Sequence, residues 1–162
     1  MFAIRTILHP TDFSDHSTSA LLLAGTLARC HGARLIVLHV VGPADLGFGG
    51  SADEPAADAP PVDRAALEER LRRLQAPDLG TPSEIRLAEG DPVTEILRVA
   101  EESPCDLIVL GTRGRTEASR VLMGSVAEAV ARRARCAVVT VRAPHRAVPY
   151  TADVPHQASP KD

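Results

Sequence analysis

The sequence of 162 residues predicts an α/β protein: a single doubly wound, five-stranded parallel sheet with helices on both faces. Short apolar runs alternate along the chain with segments whose apolar residues recur every three to four positions. Aromatic residues make up only 2% of the chain, so the core must be aliphatic. Strands that alternate with helices form parallel sheets through right-handed crossovers, and we expect the strand order 3-2-1-4-5.

The first part of the chain predicts two strands and one well-delimited helix. Residues Ile4–His9 form a short apolar run that Pro10 ends, which predicts the first strand. A helix then begins after Ser14, whose hydroxyl can cap it, and stops at Gly32. The continuously apolar run Arg34–Val41 predicts a second strand, covered on both faces.

The rest of the domain repeats the alternation. A helix is predicted to begin near Asp63, and Asp91-Pro92 supplies a cap and a first-turn proline for another. The remaining predicted elements are a strand near an edge at Ser83–Ala88, a buried strand at Asp106–Leu110, a helix at Val126–Ala134 and a last strand at Cys136–Val141.

One domain is expected over residues 1–142, with two segments outside its regular structure. Gly42–Pro61 is rich in Gly, Ala and Pro, which predicts a flexible loop over residues 42–61. Ala143–Asp162 contains four prolines and no periodicity, which is typical of a disordered tail.

Charge and composition argue against several classes of partner. The chain carries 21 acidic and 18 basic residues, a net charge of −3, and few aromatic rings, so nucleic acid is not an expected partner. No apolar run approaches the ~18 residues that a membrane span needs, so no membrane is expected either. The N-terminus lacks the apolar region and cleavage site of a signal peptide, which predicts a cytoplasmic protein.

The rarity of lysine excludes several kinds of chemistry. Seventeen of the 18 basic residues are arginines, and the single lysine is Lys161. A Walker-A lysine, a Schiff-base lysine and a Ser–Lys dyad are therefore not available within the domain. The widely spaced cysteines Cys30, Cys105 and Cys136 predict reduced thiols rather than disulfides or a metal site.

The candidate site lies where the strands end. In sheets of this kind ligands bind outside the carboxyl ends of the strands, at the point where the strand order reverses. The residues found there, after the first, second and fourth strands, are Pro10-Thr11-Asp12, Val41-Gly42 and Gly111-Thr112-Arg113-Gly114.

The stretch that follows the fourth strand suits an anion. Gly111 and Gly114 are expected to turn with positive φ and to let backbone N–H groups approach a phosphate. Gly124-Ser125 would add the N–H donors and the positive dipole end of a helix. The arginines of this stretch that a helix C-terminus does not explain are Arg113, Arg115 and Arg120.

Two motifs in combination resemble those of a known family. The first strand ends in I-L-H-P-T-D-F-S, and the fourth is followed by G-x2-G-x9-G-S, formed by Gly111, Gly114, Gly124 and Ser125. Over residues 2–142 the chain resembles the universal stress protein family, and its glycine motif is similar to that of the ATP-binding branch. The resemblance implies an ATP-binding regulatory module of the stress response, with ATP and Mg²⁺ as cofactors.

The resemblance also implies roles for individual residues. Asp12 would accept hydrogen bonds from the ribose hydroxyls, and Pro10, Thr11 and the backbone of Val41 would line the adenine. The residues that would hold the phosphates are Gly111, Gly114, Gly124, Ser125 and Val126, to which charge and position add Arg113 and Arg115. Glu117 departs from the family pattern and places a carboxylate near the triphosphate, where it could weaken binding.

Several alternatives stay open. Asp12 also suits a turn or cap before the first helix, while His9 is expected under this loop and His39 in the core. A receiver domain shares the architecture but needs a lysine after its last strand, and a flavodoxin-like carrier needs flanking aromatic rings, of which the chain has very few. Within the family, the protein either senses or stores adenine nucleotide, or is a slow ATP hydrolase or autophosphorylating enzyme.

The last strand predicts a homodimer. Cys136–Val141 lies at a sheet edge in the expected order, and an apolar edge exposes unpaired N–H and C=O groups. The universal stress proteins that this chain resembles pair this strand with its copy across a two-fold axis, which satisfies both edges at once.

Overall fold

The computed structural model describes residues 3–42, 63–74, 81–112 and 123–142. Its strands are β1 (Thr6–Pro10), β2 (Arg34–Val41), β3 (Ser83–Glu89), β4 (Leu107–Gly111) and β5 (Ala137–Val141). Its helices are α1 (Asp15–His31), α2 (Arg64–Leu74), α3 (Pro92–Glu102) and α4 (Ser125–Arg133). All the strand pairs are parallel and the order is β3-β2-β1-β4-β5, which confirms the predicted fold.

The predicted and observed boundaries differ by one or two residues at several ends. β1 begins at Thr6 rather than Ile4, and it includes Pro10, whereas the sequence predicts that the strand ends before this proline. Proline is tolerated there because it is the last residue of the strand, and the next bond to β2 is donated by Thr11 N to Leu38 O at 2.8 Å. α4 begins one residue earlier than predicted, since Gly124 is its N-cap.

An aliphatic core covers each face of the sheet. Successive residues of a strand point to opposite faces, so Ile7 of β1 packs on the side of α1 and α2, and Leu8 packs on the side of α3 and α4. α2 buries only Leu71 fully, whereas α1 contributes a whole row of small and aliphatic side chains. α2 is therefore the most lightly attached of the described helices.

Side chains cap three helices at their N-termini. The caps are Ser14 Oγ to Ser17 N (3.2 Å), Asp63 Oδ1 to Ala66 N (3.0 Å) and Asp91 Oδ1 to Thr94 N (2.9 Å), for α1, α2 and α3 respectively. α1 ends at Gly32 with φ 62°, the left-handed conformation that the sequence predicts for this stop. α4 begins differently, at a glycine with no side-chain cap.

Some predicted features lie outside the described residues. They are nearly all of the loop expected over 42–61, the tail expected over 143–162, and Arg113, Gly114 and Arg115. In the part of the chain that is described, no helix has both the length and the apolarity to cross a membrane. Nor do three or more His, Cys, Asp or Glu side chains gather there as a group that could hold a metal ion. The three cysteines are free thiols, as predicted.

Candidate functional site

The candidate site is built around the turn between β1 and α1. β1 lies between β2 and β4, where the strand order reverses, and in such sheets the ligand crevice opens at this point. Pro10 ends β1 and is followed by Thr11 and Asp12, while Val41 ends β2 and Gly111 ends β4. The fold thus brings these five predicted site residues to one edge of the sheet.

Thr11 is anchored through both its backbone and its side chain. Its N–H donates to Leu38 O at 2.8 Å, and its carbonyl accepts a hydrogen bond from His39 Nδ1 at 2.8 Å. Its hydroxyl oxygen accepts a hydrogen bond from Ser17 Oγ at 2.7 Å. Because Thr11 is buried among these partners, it determines the shape of the turn.

His9 supports the same turn from inside the protein. It is fully buried, and its Nδ1 lies 2.8 Å from Val109 O of β4. Since a carbonyl can only accept, we assign the ring proton to Nδ1, and Nε2 then faces Ser17 Oγ at 3.4 Å. Burial lowers the pKa of His9 to about 4, so the imidazole is neutral at pH 7. The prediction that His9 packs under the loop is confirmed.

Asp12 stabilises the turn through its carboxylate. Its Oδ1 accepts hydrogen bonds from Ser14 N at 3.0 Å and from Ser14 Oγ at 2.7 Å. This is the turn arrangement that the sequence left open as an alternative for Asp12. A carboxylate has about four acceptor positions on its two oxygens, so it can accept several hydrogen bonds at once. Asp12 is partly exposed, so it combines a role in the turn with a position open to solvent.

Gly111 is required for a reason that its motif does not suggest. Among the described glycines, only Gly32 and Gly90 have positive φ, so the expected left-handed turn at Gly111 is wrong. A Cβ at Gly111 would lie 2.9 Å from the backbone carbonyl carbon of His16 and 3.0 Å from Ser17 N. Glycine is needed at the end of β4 because the first turn of α1 passes directly against it.

The start of α4 is joined to the end of β4 by main-chain hydrogen bonds. Gly124 N donates to Thr112 O at 2.6 Å, and Thr112 N donates to Val141 O at 2.8 Å. The N-cap Gly124 offers no side-chain acceptor to the first-turn N–H groups, and Ser125 at this terminus is exposed. Such a terminus suits an anion, because its N–H groups and the helix dipole both favour negative charge.

The end of β2 forms one side of the site. β1 pairs with β2 only as far as Leu38, and β2 continues to Val41, so it overhangs the turn that follows β1. Val41 is buried, and its carbonyl accepts a hydrogen bond from Gly90 N at 3.1 Å. Val41 is therefore a rigid apolar residue at the edge where the site is expected.

Two side chains that shape the turn were missed by sequence reasoning. Phe13 lies with its ring against the His39 ring, and the guanidinium of Arg70, from α2, lies over the same ring. Phe13 belongs to the I-L-H-P-T-D-F-S motif, which is the one signal that could have found it. Nothing in the sequence connects it with Arg70.

Comparison with models of protein families matches residues 3–142 to the universal stress protein family. The chain belongs to this family. A universal stress protein from Thermus aquaticus is 35% identical over 139 residues, which cover 85% of this chain and 98% of that protein. Membership decides against the receiver-domain and flavodoxin-like alternatives, and it confirms the predicted resemblance to the family.

Solved structures of universal stress proteins share the fold. UspA from Lactobacillus plantarum matches with a TM-score of 0.72 and 29% identity, over 86% of this chain and 99% of that one. A universal stress protein in complex with cAMP matches with a TM-score of 0.62 and 30% identity, over 88% of this chain and 99% of that one.

Proposed function

We propose that this universal stress protein belongs to the ATP-binding branch of its family and is a cytoplasmic regulatory module that senses or stores adenine nucleotide in the stress response. The observation that carries the proposal is the glycine-capped N-terminus of α4, joined to the carboxyl end of β4. The relative in complex with cAMP supports it, because that protein is 30% identical and cAMP contains the same adenosine unit as ATP.

The phosphates are assigned to the segment from the end of β4 to the start of α4. A helix leaves its first N–H groups without intrahelical partners, and α1, α2 and α3 each supply a side-chain oxygen to them. At α4 a phosphate would take the place of that oxygen. The proposed phosphate-binding residues are Gly111, Gly114, Gly124, Ser125 and Val126, with Arg113 and Arg115 neutralising charge.

The nucleoside is assigned to the other side of the site. Ser14 holds the Asp12 carboxylate in one orientation, and we assign the carboxylate as the acceptor of hydrogen bonds from the ribose hydroxyls. The adenine is assigned to Pro10, Thr11 and the overhanging end of β2 at Val41. These residues are rigid because they are buried or held by the sheet, so little order would have to be created on binding.

Mg²⁺ fits this site as a companion of the triphosphate. Magnesium usually keeps several waters and is bound through one or two carboxylates together with substrate phosphates. No group of three or more ligating side chains occurs among the described residues, so the proposal has the ion bind together with the triphosphate, through its phosphate oxygens. Its chemical contribution would be to neutralise phosphate charge beside the N-terminus of α4.

We also propose the homodimer through β5, because the two edges of the sheet differ in charge. β3 carries Glu84 and Arg86, which are paired with each other at 2.6 Å, and Arg34 lies 3.4 Å from the same glutamate. Ala137–Val141 carries no charged residue. Charged side chains protect an edge strand from pairing, whereas an uncharged edge is open to it, and a two-fold axis would pair β5 with its copy.

Titration calorimetry with ATP, ADP, AMP and cAMP, each with and without Mg²⁺, tests the proposed function. We expect saturable binding of ATP, with one site per chain, and absence of binding by any of these nucleotides would contradict the proposal. Nucleotide extracted from the freshly purified protein gives a second readout. Mostly ATP supports a sensor or store, whereas mostly ADP supports the slow hydrolase.

Asp12→Asn tests the assignment of the ribose. The amide oxygen of asparagine can still accept from Ser14 N, so the turn is kept, while the second carboxylate oxygen is replaced by a donor. We expect ATP binding to weaken by about 1.5–3 kcal/mol, the range for hydrogen bonds to charged groups, with the melting temperature unchanged. Calorimetric titration measures the loss, and normal ATP affinity would leave Asp12 as a turn residue only.

A further inference from the structure

The residue after Asp12 has an unusual backbone conformation. Phe13 has φ 64°, and it is the one non-glycine residue with positive φ among residues 3–42, 63–74, 81–112 and 123–142. In this left-handed region the Cβ of an L-residue comes close to its own carbonyl oxygen, so bulky residues rarely adopt it. Contacts with the rest of the protein must therefore hold Phe13 in place.

Three contacts hold Phe13. Its N–H donates to Thr11 Oγ1 at 3.1 Å, across Asp12. Its ring lies 4.6 Å from the His39 ring, centroid to centroid, at an interplanar angle of 46°. The guanidinium carbon of Arg70 lies 4.0 Å from the centre of the same ring, a cation–π arrangement.

The residues on both sides of Asp12 in the sequence are held by contacts with other elements. On the preceding side, His39 Nδ1 donates to the carbonyl of Thr11 at 2.8 Å. On the following side, His39 and Arg70 contact the ring of Phe13. β2 supplies His39 and α2 supplies Arg70, so the direction of the Asp12 carboxylate depends on two elements that are distant from it in the sequence.

We propose that Arg70 is a positioning residue of the nucleotide site, which acts through Phe13 to aim the Asp12 carboxylate at the ribose hydroxyls. The inference rests on the proposed function and adds a residue of α2 to it. Arg70 reaches the site through its cation–π contact with Phe13, and α2 is attached lightly, with Leu71 as its one fully buried residue among those described. Docking of α2 and recognition of a ribonucleotide are therefore coupled through the Phe13 ring. The coupling is reciprocal, so each should stabilise the other.

A ribose-specific comparison tests this role. ATP and 2′,3′-dideoxy-ATP differ only in the two hydroxyls assigned to Asp12. We expect Arg70→Ala to weaken ATP binding by about two- to fivefold, the equivalent of an exposed cation–π contact, and to leave binding of the dideoxy nucleotide unchanged. Arg73→Ala is the matched control on the same helix: Arg73 is 78% exposed and pairs with Glu69, so it should alter neither affinity.

Several outcomes of these titrations would overturn the positioning role of Arg70. If Arg70→Ala weakens the binding of ATP and of the dideoxy nucleotide equally, or weakens neither, the positioning role is overturned while the proposed function stands. A wild-type protein that binds ATP and the dideoxy nucleotide equally also overturns it, and one that binds neither overturns both proposals. If Arg70→Ala does not fold, Arg70→Gln, which keeps the planar end group without the charge, gives the same comparison. In a double variant with Asp12→Asn, the Arg70→Ala substitution should cause no further loss of ATP affinity.

Discussion

Two buried histidines hold the turn around which the proposed site is built. His9 donates from Nδ1 to Val109 O, and His39 donates from Nδ1 to Thr11 O. At His9, burial lowers the pKa more than the bond to Val109 and the charge of Asp12 raise it. Protonation of His9 therefore opposes folding, and the stability of this turn depends on pH.

Stability should rise with pH between about 4 and 6.5. In this window the unfolded chain binds a proton at His9 with a pKa of 6.5, whereas the folded chain binds it only at about 4. Lowering the pH from about 7.5 to about 5 should remove about 2 kcal/mol of the free energy of unfolding through this residue. The amide of Asn in His9→Asn can donate to Val109 O without titrating, so this pH-dependent loss of stability should be absent from the variant. Urea unfolding at both pH values measures it, and the same pH dependence in the two proteins would contradict the assignment.

Gly111→Ala should destabilise the fold. Its Cβ would lie 2.9 Å from a backbone atom of His16 and 3.0 Å from one of Ser17, neither of which can move without shifting α1. We expect a loss of about 1–3 kcal/mol, the range for overpacking. Gly42→Ala is the matched control, since its Cβ would meet its nearest neighbours at 3.7 Å. Thermal unfolding compares the two, and equal melting temperatures would argue against the close approach of α1 to β4.

Among the secondary-structure elements, the helices differ in how the N–H groups of their first turns are satisfied. Ser14, Asp63 and Asp91 satisfy first-turn N–H groups in α1, α2 and α3. At Asp91, hydrogen bonds from Thr94 lower the pKa of the carboxyl, so this cap stays ionised. α4 begins at Gly124, with no such side chain, at the end of β4. α4 is therefore the one of these four helices without a side-chain cap, and its start is the place where we propose that the phosphates bind.

The features that the sequence predicts well are local ones. The strand Arg34–Val41 and the helix between Ser14 and Gly32 depend on neighbouring residues, and their observed bounds agree with the prediction. The left-handed turn expected at Gly111 is wrong because the actual constraint comes from the backbone of α1. The contact of Arg70 with Phe13 could not be predicted either, since it arises only when α2 docks on the folded sheet.

The backbone of β5 shows which residues face its outer edge. Ala137 N donates to Asp106 O at 3.3 Å, and Val141 O accepts from Thr112 N at 2.8 Å, so both residues face β4. Strand residues alternate in the direction of their N–H and C=O groups. Val138 and Thr140 therefore present their groups to the outer edge, where no further strand pairs among the described residues.

Thr140→Pro should abolish the proposed dimer. It removes an N–H that points away from β4, so the ladder within the chain is kept while a donor of the proposed interface is lost. Thr140→Val keeps the donor and should remain dimeric. Light scattering measures the mass of each variant, and either a monomeric wild-type protein or a dimeric Thr140→Pro would contradict pairing through β5.

In the whole molecule, the two ends of the sheet differ in chemistry. The carboxyl ends carry Asp12, the turn held by the histidines and the start of α4. Cys105 and Cys136 lie at the opposite end, just before β4 and β5. Burial raises the pKa of Cys105 to about 11 and also raises that of Cys136, so both remain protonated thiols at neutral pH. The proposed nucleotide site lies at the first of these ends, so the cysteines at the opposite end can serve as an internal reference in a binding experiment.

Amide NMR spectra of ¹⁵N-labelled protein, recorded during titration with ATP, test the location of the site most directly. We predict saturable shifts for the backbone amides of Thr11, Asp12 and Phe13, and for those of Gly111 and Gly124–Val126. The amides of Cys105 and Cys136, at the opposite end of the sheet, should stay unchanged. Spectra that do not respond to ATP, or shifts that cluster around the cysteines instead, would contradict a nucleotide site at the carboxyl ends of β1 and β4.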